Sequence, residues 1–189
     1  QVVIIPILFE DSKAKVLKAA SIIEQKLSKR FRVKHDYREE YTAGWKFNEW
    51  ELQGVPLRIE IGPKDVEKDQ VVFVRRDTRK KEIVKMKELE NVVPNVLEKI
   101  QSDMLANAQK LLKENTRTAS DYAEFRKIME ENRGFIKTSW CGGRECEDKI
   151  QEDTTATIRI IPFEQPKNLG ECIKCGNKAK YSVYLAKSY

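Results

Sequence analysis

Apolar positions in the first thirty residues follow a strand pattern and then a helix pattern. Residues 2–8 are β-branched and nearly continuous, which predicts a buried strand in which Pro6 faces a gap in the hydrogen-bond ladder. Asp11 or Ser12 can cap a helix after it. Apolar side chains then recur at helical spacing and predict one buried stripe: Val16, Ala20, Ile23 and Leu27.

Three more strands are predicted before residue 75. Residues 31–37 form a strand candidate of mixed polarity, and residues 57–61 alternate in polarity until Gly62-Pro63 ends the run. Residues 71–74 are continuously apolar, so this strand should be buried more deeply. Strands connected by crossovers around a helix predict an α/β fold.

Two helices and two strands are predicted in the second half. Pro94 suits the first position of a long helix. Its apolar stripe would be Val96, Leu97, Ile100, Met104, Ala108 and Leu111. A further helix would run from Ser120 or Asp121, with Glu124 in a capping box, to Gly134. Residues 154–161 and 181–185 have strand patterns. We therefore predict one domain at 1–102, and a linking helix with a small second domain at 103–189.

Composition limits the choice of partners and of compartment. A formal charge of +6 favours a polyanionic partner without requiring one. No apolar run reaches the roughly 20 residues that span a bilayer, so we expect a soluble protein without a membrane partner. We expect its location to be cytoplasmic. The chain starts at Gln1 and enters an apolar run at once, without a signal-peptide pattern. We expect it to be cut from a longer protein.

The cysteines form two pairs in the last quarter of the chain, Cys141 with Cys146 and Cys172 with Cys175. Four thiolates satisfy tetrahedral zinc completely and leave no position open for substrate, so the predicted Zn²⁺ site is structural. Free buried thiols and local disulfides are the alternatives. A redox Cys-x2-Cys motif is weaker, because no βαβ pattern surrounds Cys172.

Aromatic and charged residues alternate between Gly44 and Asp65. The rings could be core residues of a short amphipathic helix, but the combination also suits single-stranded RNA, whose bases stack on rings and bond to charged groups. A basic run follows at Arg75, Arg76, Arg79, Lys80 and Lys81, where a solvated strand end and phosphate binding are equally compatible with the sequence.

Signals for catalysis are missing from the sequence. His35 has no nucleophile pattern around it and is interpreted as a structural or surface residue. The chain has no phosphate loop, no Gly-x-Ser-x-Gly and no glycine-rich dinucleotide turn. We expect no catalytic residue in this chain.

Several segments, in this order, resemble prolyl-tRNA synthetases of the archaeal and eukaryotic type. They are Trp45 to Asp65, Arg75-Arg76-Asp77, Trp140-Cys141, Thr154 to Thr157, Ile161-Pro162-Phe163 and Ala186 to Tyr189. The resemblance covers essentially the whole chain. It implies an anticodon-binding domain with a mixed β-sheet flanked by helices, then a small α+β zinc-binding domain. Histidyl-, threonyl- and glycyl-tRNA synthetases share the related anticodon-binding fold but lack this zinc-binding tail.

The resemblance also implies an activity and its partners. Enzymes of the family ligate proline to tRNA(Pro) with ATP and Mg²⁺, through an upstream catalytic domain that is absent from this sequence. The expected partners are tRNA(Pro) and that catalytic domain, within a homodimeric full enzyme. A stand-alone zinc protein that binds RNA or protein is the alternative, and a small metalloenzyme conflicts with a closed four-thiolate site.

Residues that match the family's anticodon contacts are Phe47, Glu51, Arg58, Lys64, Asp65 and Lys80. Proline anticodons share two adjacent guanines. Guanine offers N1–H and N2–H₂ donors to a carboxylate, and O6 and N7 acceptors to Lys or Arg. In the family the C-terminal Tyr reaches the catalytic domain, so the carboxylate of Tyr189 is expected to point toward the active site of the full enzyme.

Overall fold

A computed structural model describes residues 1–131 and 134–188. The chain divides into two compact units, residues 1–106 and 107–189, each with its own sheet. The division lies inside a 26-residue helix, α4 (Leu89–Glu114). The sequence places the domain boundary at residue 102, in the same helix. Among the helices of the described residues, none is both long and apolar enough to cross a membrane.

The first unit contains a five-stranded mixed sheet. Its strands are β1 (Val2–Pro6), β2 (Val33–His35), β3 (Leu57–Ile61), β4 (Gln70–Arg75) and β5 (Lys81–Lys85). The strand order is β2-β1-β3-β4-β5; β1 runs parallel to both of its neighbours, whereas β4 is antiparallel to β3 and to β5. The helices that precede α4 are α1 (Lys13–Leu27), α2 (Ala43–Leu52) and α3 (Pro63–Glu67).

The core of this unit lies on one face of the sheet. The predicted stripe of α1 is fully buried there, together with Leu89 and Val93 of α4. Leu57, Ile59 and Ile61 point into this core, so Arg58 and Glu60 of the same strand face the opposite side, where α2 contacts β1. Charged side chains on β3 are thereby brought beside α2.

The second unit is built around a four-stranded sheet of order β6-β7-β9-β8. Its elements are β6 (Thr116–Thr118), α5 (Tyr122–Glu131), β7 (Phe135–Trp140), α6 (Arg144–Thr154), β8 (Ala156–Ile160) and β9 (Tyr181–Lys187). The core is small and combines α5 with α6 and three of the strands; its fully buried members include Phe125, Ile136, Ile150 and Val183. These two units confirm the predicted α/β sheet domain followed by a small α+β domain.

The prediction that α4 begins at Pro94 is wrong. The helix begins at Leu89 and carries Pro94 in its interior, at the cost of one backbone hydrogen bond. Leu89 and Val93 lie about one turn apart and are both fully buried, so packing extends the helix ahead of the proline. At the other end, Met104 and Leu111 of the predicted stripe are exposed.

Other boundaries differ in the second unit. The cap of α5 is confirmed, because Asp121 accepts from Glu124 N at 2.8 Å and Glu124 accepts from Ser120 N at 2.8 Å. The predicted end of this helix falls partly on residues 132–133, outside the described residues. The strand predicted from Thr154 begins at Ala156, because Thr154 ends α6 and Thr155 has a φ of +61°.

Candidate functional site

The four cysteines come from two separate segments of the second unit. Cys141 follows β7 directly, and Cys146 lies in the first turn of α6. Cys172 and Cys175 lie in a tight turn in which Cys172 N donates to Asn177 O at 2.7 Å and Gly176 N donates to Cys172 O at 3.0 Å. Gly176 has a φ of +72°, which a glycine adopts without strain.

The sulfur atoms are arranged as metal ligands. All four Sγ atoms lie within 4.8 Å of one another, and those of Cys141 and Cys146 are 3.6 Å apart. A disulfide needs about 2.05 Å, and all four cysteines are free thiols, so the local-disulfide alternative does not describe this structure. Zn–S bonds of about 2.3 Å in a tetrahedron place the sulfurs roughly 3.8 Å apart. The cluster could therefore hold a metal ion.

Local electrostatics favour the thiolate form at one of these cysteines. Burial alone would raise the pKa of Cys172, but N–H groups of Cys175, Lys174 and Cys141 stabilise its thiolate and lower the pKa to about 7. Burial raises the pKa of Cys141 and of Cys146. A cation bound among the four thiolates would reverse these upward shifts, so metal uptake releases protons.

Phe47, Glu51 and Arg58 lie together on the α2 side of the sheet. The Arg58 guanidinium is 4.3 Å from the centre of the Phe47 ring. Arg58 also donates to Glu60 Oε1 at 2.9 Å, which fixes the guanidinium above the sheet. Glu51 lines one cleft with Arg58 and Trp50. A ring, a carboxylate and a guanidinium thus face the same surface of the first unit.

Glu51 has a partner that sequence reasoning missed. Arg79 donates to Glu51 Oε1 through Nε at 2.8 Å and through Nη2 at 2.6 Å, while its own side chain is 79% exposed. Arg79 belongs to the β4–β5 turn and has a φ of +56°. The basic run signalled a cationic turn, but it did not show which cation would reach across to α2.

Lys64 and Asp65 lie at the opposite end of β3 from that turn. Asp65 accepts from Gly62 N at 2.9 Å and from Gln70 Nε2 at 3.3 Å, so its carboxylate closes the first turn of α3. Lys64 is exposed in the same turn. Lys80 is exposed in the β4–β5 turn, close to Arg79. The six predicted contact residues therefore form two groups near opposite ends of β3: Lys64 and Asp65 at one end, and Phe47, Glu51, Arg58 and Lys80 toward the other.

A buried polar network around Asp36 is a second feature that the sequence did not reveal. Arg38 donates to both carboxylate oxygens of Asp36, at 2.9 and 2.7 Å, and Trp50 Nε1 donates to Asp36 Oδ2 at 2.8 Å. Burial would raise the pKa of Asp36, but these hydrogen bonds outweigh it and lower the pKa to about 2. The ammonium of buried Lys46 contacts the same residue. The network anchors α2 beside β2.

His35 is buried at the edge of the sheet, in agreement with a structural role. Its ring lies 3.7 Å from that of Tyr37, and burial lowers its pKa despite the nearby Glu24 carboxylate. Tyr189, the remaining predicted residue, lies outside the described residues.

Two family models match the chain. Residues 1–96 match the model described as an anticodon binding domain, and residues 122–189 match the model described as the C-terminal part of prolyl-tRNA synthetase. Together the two models leave only residues 97–121, most of them in helix α4, without a match.

Curated relatives match over the whole chain. A proline-tRNA ligase of Natranaerobius thermophilus is 50% identical over 191 residues, which cover 100% of this chain and 39% of that protein. The corresponding identities are 45% for a proline-tRNA ligase of Alkaliphilus oremlandii and 47% for a proline-tRNA ligase 2 of Clostridioides difficile. The chain spans 39% of the length of each of these relatives.

Proposed function

The chain belongs to the anticodon-binding domain family, with a prolyl-tRNA synthetase C-terminal domain behind it, and on this premise we propose that it recognises the anticodon of tRNA(Pro). The observation that carries the proposal is the shared surface of Phe47, Glu51 and Arg58. A ring for stacking, a carboxylate that accepts and a guanidinium that donates are the groups that read an unstacked guanine.

Glu51 is the residue that we assign to a guanine edge. Arg79 occupies only Oε1, so Oε2 remains available to accept from N1–H or N2–H₂. Arg58 and Phe47 supply a cation and a stacking face beside it. Lys64 and Asp65, at the far end of β3, belong to the same proposed surface. Asp65 would then contact RNA while its carboxylate also accepts the hydrogen bonds that close the first turn of α3. Lys80 is assigned to phosphate because it is exposed in a basic turn.

We assign the ligation of proline to tRNA(Pro), with ATP and Mg²⁺, to the whole proteins to which this chain is similar. The chain covers 39% of their length, and we assign the reaction to the part that it does not cover. Association with a catalytic domain, a homodimeric full enzyme and a cytoplasmic location complete the proposal. The carboxylate of Tyr189 would point toward the active site of that enzyme.

We assign Zn²⁺ to the four-cysteine cluster. The spacing of the sulfur atoms and the four soft ligands suit zinc in a closed tetrahedral site, which is structural and holds the Cys172–Cys175 turn against the start of α6. The first unit and its proposed RNA surface do not include these residues.

Binding of two tRNA(Pro) transcripts tests the anticodon proposal. The wild-type chain should bind the natural transcript more tightly than one in which the two anticodon guanines are replaced. Glu51→Ala should weaken the natural complex by about 1–3 kcal/mol and reduce this preference. Lys80→Ala should weaken both complexes alike and flatten their salt dependence. Equal binding of both transcripts by the wild type would refute anticodon recognition, and an unchanged preference in Glu51→Ala would remove Glu51 from the site.

A further inference from the structure

A cleft at the carboxyl end of β1 lies outside the surface assigned above. Its volume is about 450 Å³, within the range of roughly 300–1,000 Å³ typical of small-ligand sites. The segment after β1, which includes Ile7 and Leu8, forms its apolar wall. Tyr41 lies on the opposite side, stacked on Trp45 with ring centres 3.8 Å apart and planes inclined by 11°.

The stacked pair is exposed yet held in place. Tyr41 and Trp45 are 38% and 43% exposed. The Arg38 guanidinium lies 5.0 Å from the Tyr41 ring and 5.3 Å from the Trp45 ring, and it is itself fixed by Asp36 and Glu49. Aromatic surface that is both exposed and oriented is suited to stack a planar ligand.

Charges around the cleft point to a base and not to a phosphate. Three cationic and three anionic side chains line it: Glu10, Lys13, Arg38, Glu39, Glu40 and Lys46. Lys13 is already paired with Glu39 at 2.5 Å, and Arg38 with Asp36. A lining without net charge, with an apolar wall and an aromatic wall, gives no advantage to a phosphate but accommodates a neutral heterocycle.

Lys46 also lines the cleft. Its side chain is 3% exposed, and among the described residues its ammonium makes one hydrogen bond, to Asp36 O at 3.3 Å, with Asp36 Oδ1 at 3.9 Å. An ammonium has three donors, so the donors that this hydrogen bond leaves unused are suited to donate to a base carbonyl or to an unprotonated ring nitrogen.

The segment that forms the apolar wall lies beside the turn that carries Lys64 and Asp65. Pro6 pairs with Ile61, so the segments after β1 and β3 leave the sheet at the same edge. Ile7 N donates to Ile61 O at 2.8 Å, and Gly62 lies beside Ile7. A strand of RNA whose bases contact Lys64 and Asp65 therefore has a neighbouring base within reach of the cleft.

We infer that the cleft binds an unpaired base of the anticodon loop next to the two guanines, stacked on Tyr41 and in contact with Lys46. This inference rests on the proposed function, and it adds a second recognition point outside the anticodon contacts. Free nucleotides share the same ring chemistry, but the backbone contacts between the segment after β1 and the start of the Lys64–Asp65 turn favour a base of the bound RNA.

Abasic substitutions in the anticodon stem-loop test the inference. Removal of one flanking base should weaken binding to the wild-type chain on the order of tenfold, the scale of one lost base–aromatic stack. The double variant Tyr41→Ala/Trp45→Ala should bind the intact loop more weakly than the wild type by a similar factor. On the abasic loop, the double variant and the wild type should have the same affinity. Lys46→Met should lose part of the same factor. Ile22→Ala, an exposed apolar residue of α1 on the other face of the sheet, is the control and should bind like the wild type.

The outcomes separate this inference from the anticodon proposal. If removal of the flanking base weakens binding to the double variant as much as it weakens binding to the wild type, the base binds elsewhere and the inference is overturned. Saturable binding of adenosine monophosphate that the double variant abolishes, with no abasic effect, would make the cleft a free-nucleotide site and overturn it too. Guanine replacement reports on the proposed function in every variant, and equal binding of the natural and guanine-replaced transcripts by the wild type would refute that proposal. The abasic losses report on the cleft separately. Urea titration of each variant confirms that it is folded.

Discussion

Asp36 links three parts of the first unit through one carboxylate. It accepts hydrogen bonds from Arg38 in its own loop and from Trp50 on α2, and its backbone carbonyl accepts from Lys46. Buried charge is costly unless paired, and here each oxygen has a charged or polar donor. The Arg38 side chain continues from this network to the Tyr41–Trp45 stack, so the network orients the cleft as well as α2.

Asp36→Asn should show how much the negative charge of Asp36 contributes to stability, because the effect on the free energy of unfolding should depend on pH. The folded-state pKa of about 2 lies below the unfolded value of about 3.9, so the carboxylate stabilises the fold above pH 4 and this contribution is lost as the pH falls toward 2. We expect the variant to lose about 2 kcal/mol in free energy of unfolding at pH 7 and less at pH 3. Denaturant titrations at both pH values measure this; an equal loss at both would contradict it.

Arg79 is expected to position Glu51 and not merely to attract RNA. Both of its hydrogen bonds go to Oε1 of Glu51, so they fix the orientation of the carboxylate without using Oε2. Arg79→Ala should therefore lower affinity for tRNA(Pro) and also reduce the preference for the two guanines, because Glu51 loses its fixed orientation. The measurement is binding of the natural and guanine-replaced transcripts at two salt concentrations.

Arg76 provides the matched control in the same turn. Its side chain is exposed and forms no ion pair within the part of the chain that the structure describes, so Arg76→Ala should weaken the binding of both transcripts equally. A uniform loss in Arg79→Ala, indistinguishable from that of Arg76→Ala, would show that Arg79 acts through charge alone.

At the scale of elements, long regular patterns were predicted well and contextual ones were not. The stripe of α1 and the alternation of β3 follow directly from periodicity, and both are buried as expected. β5 was missed because only Val84 is buried in a strand of otherwise exposed residues, and it forms by pairing with β4. The start of α4 was misplaced because burial of Leu89 and Val93 overrides the preference of Pro94 for a first position.

In the candidate sites, too, features encoded in local sequence were predicted and features that depend on tertiary packing were not. Cysteine spacing predicted the metal cluster because ligand geometry constrains sequence spacing closely, even though α6, which carries Cys146, was not predicted. The pairing of Glu51 with Arg79 joins residues 28 positions apart, and no local pattern encodes it. The Asp36 network and the cleft also depend on tertiary packing between β2 and α2. Sequence motifs identified the chemistry, whereas only the fold shows which groups share a surface.

The turn between β3 and α3 gives a prediction at this scale. Asp65 bonds to Gly62 N and to Gln70, so Asp65→Ala should lower the free energy of unfolding by about 1 kcal/mol without any RNA present, as the loss of a helix cap does. Thermal or urea unfolding measures the effect. Lys64→Ala, one residue earlier and exposed, should leave stability nearly unchanged; a larger loss there than in Asp65→Ala would contradict this account of the turn.

The two units of the molecule have separate cores and different sources of stability. The first unit buries fourteen residues in one cluster, whereas the core cluster of the second contains seven buried residues among those that the structure describes. A small core supplies little stability by itself, and small domains often depend on a metal. The four cysteines connect the end of β7, the start of α6 and the turn before β9, so a metal ion would join segments that the small core does not hold together.

Metal removal should therefore act on one unit and spare the other. Protein purified without added metal should contain about one zinc per chain, as a closed four-thiolate site requires. Chelation should speed amide hydrogen exchange in residues 135–188 first, because the binding energy of a structural metal contributes directly to folding. Residues 1–100 should keep their protection from exchange, since their core contains no ligand of the cluster.

A variant of one ligand tests the same prediction without chelator. Cys172→Ser should reproduce the exchange pattern of the chelated protein, and Ser182→Ala in β9, which is not a ligand, serves as control. Equal acceleration of exchange in both units, or a metal-free protein with native protection beyond residue 135, would contradict the structural role of the cluster.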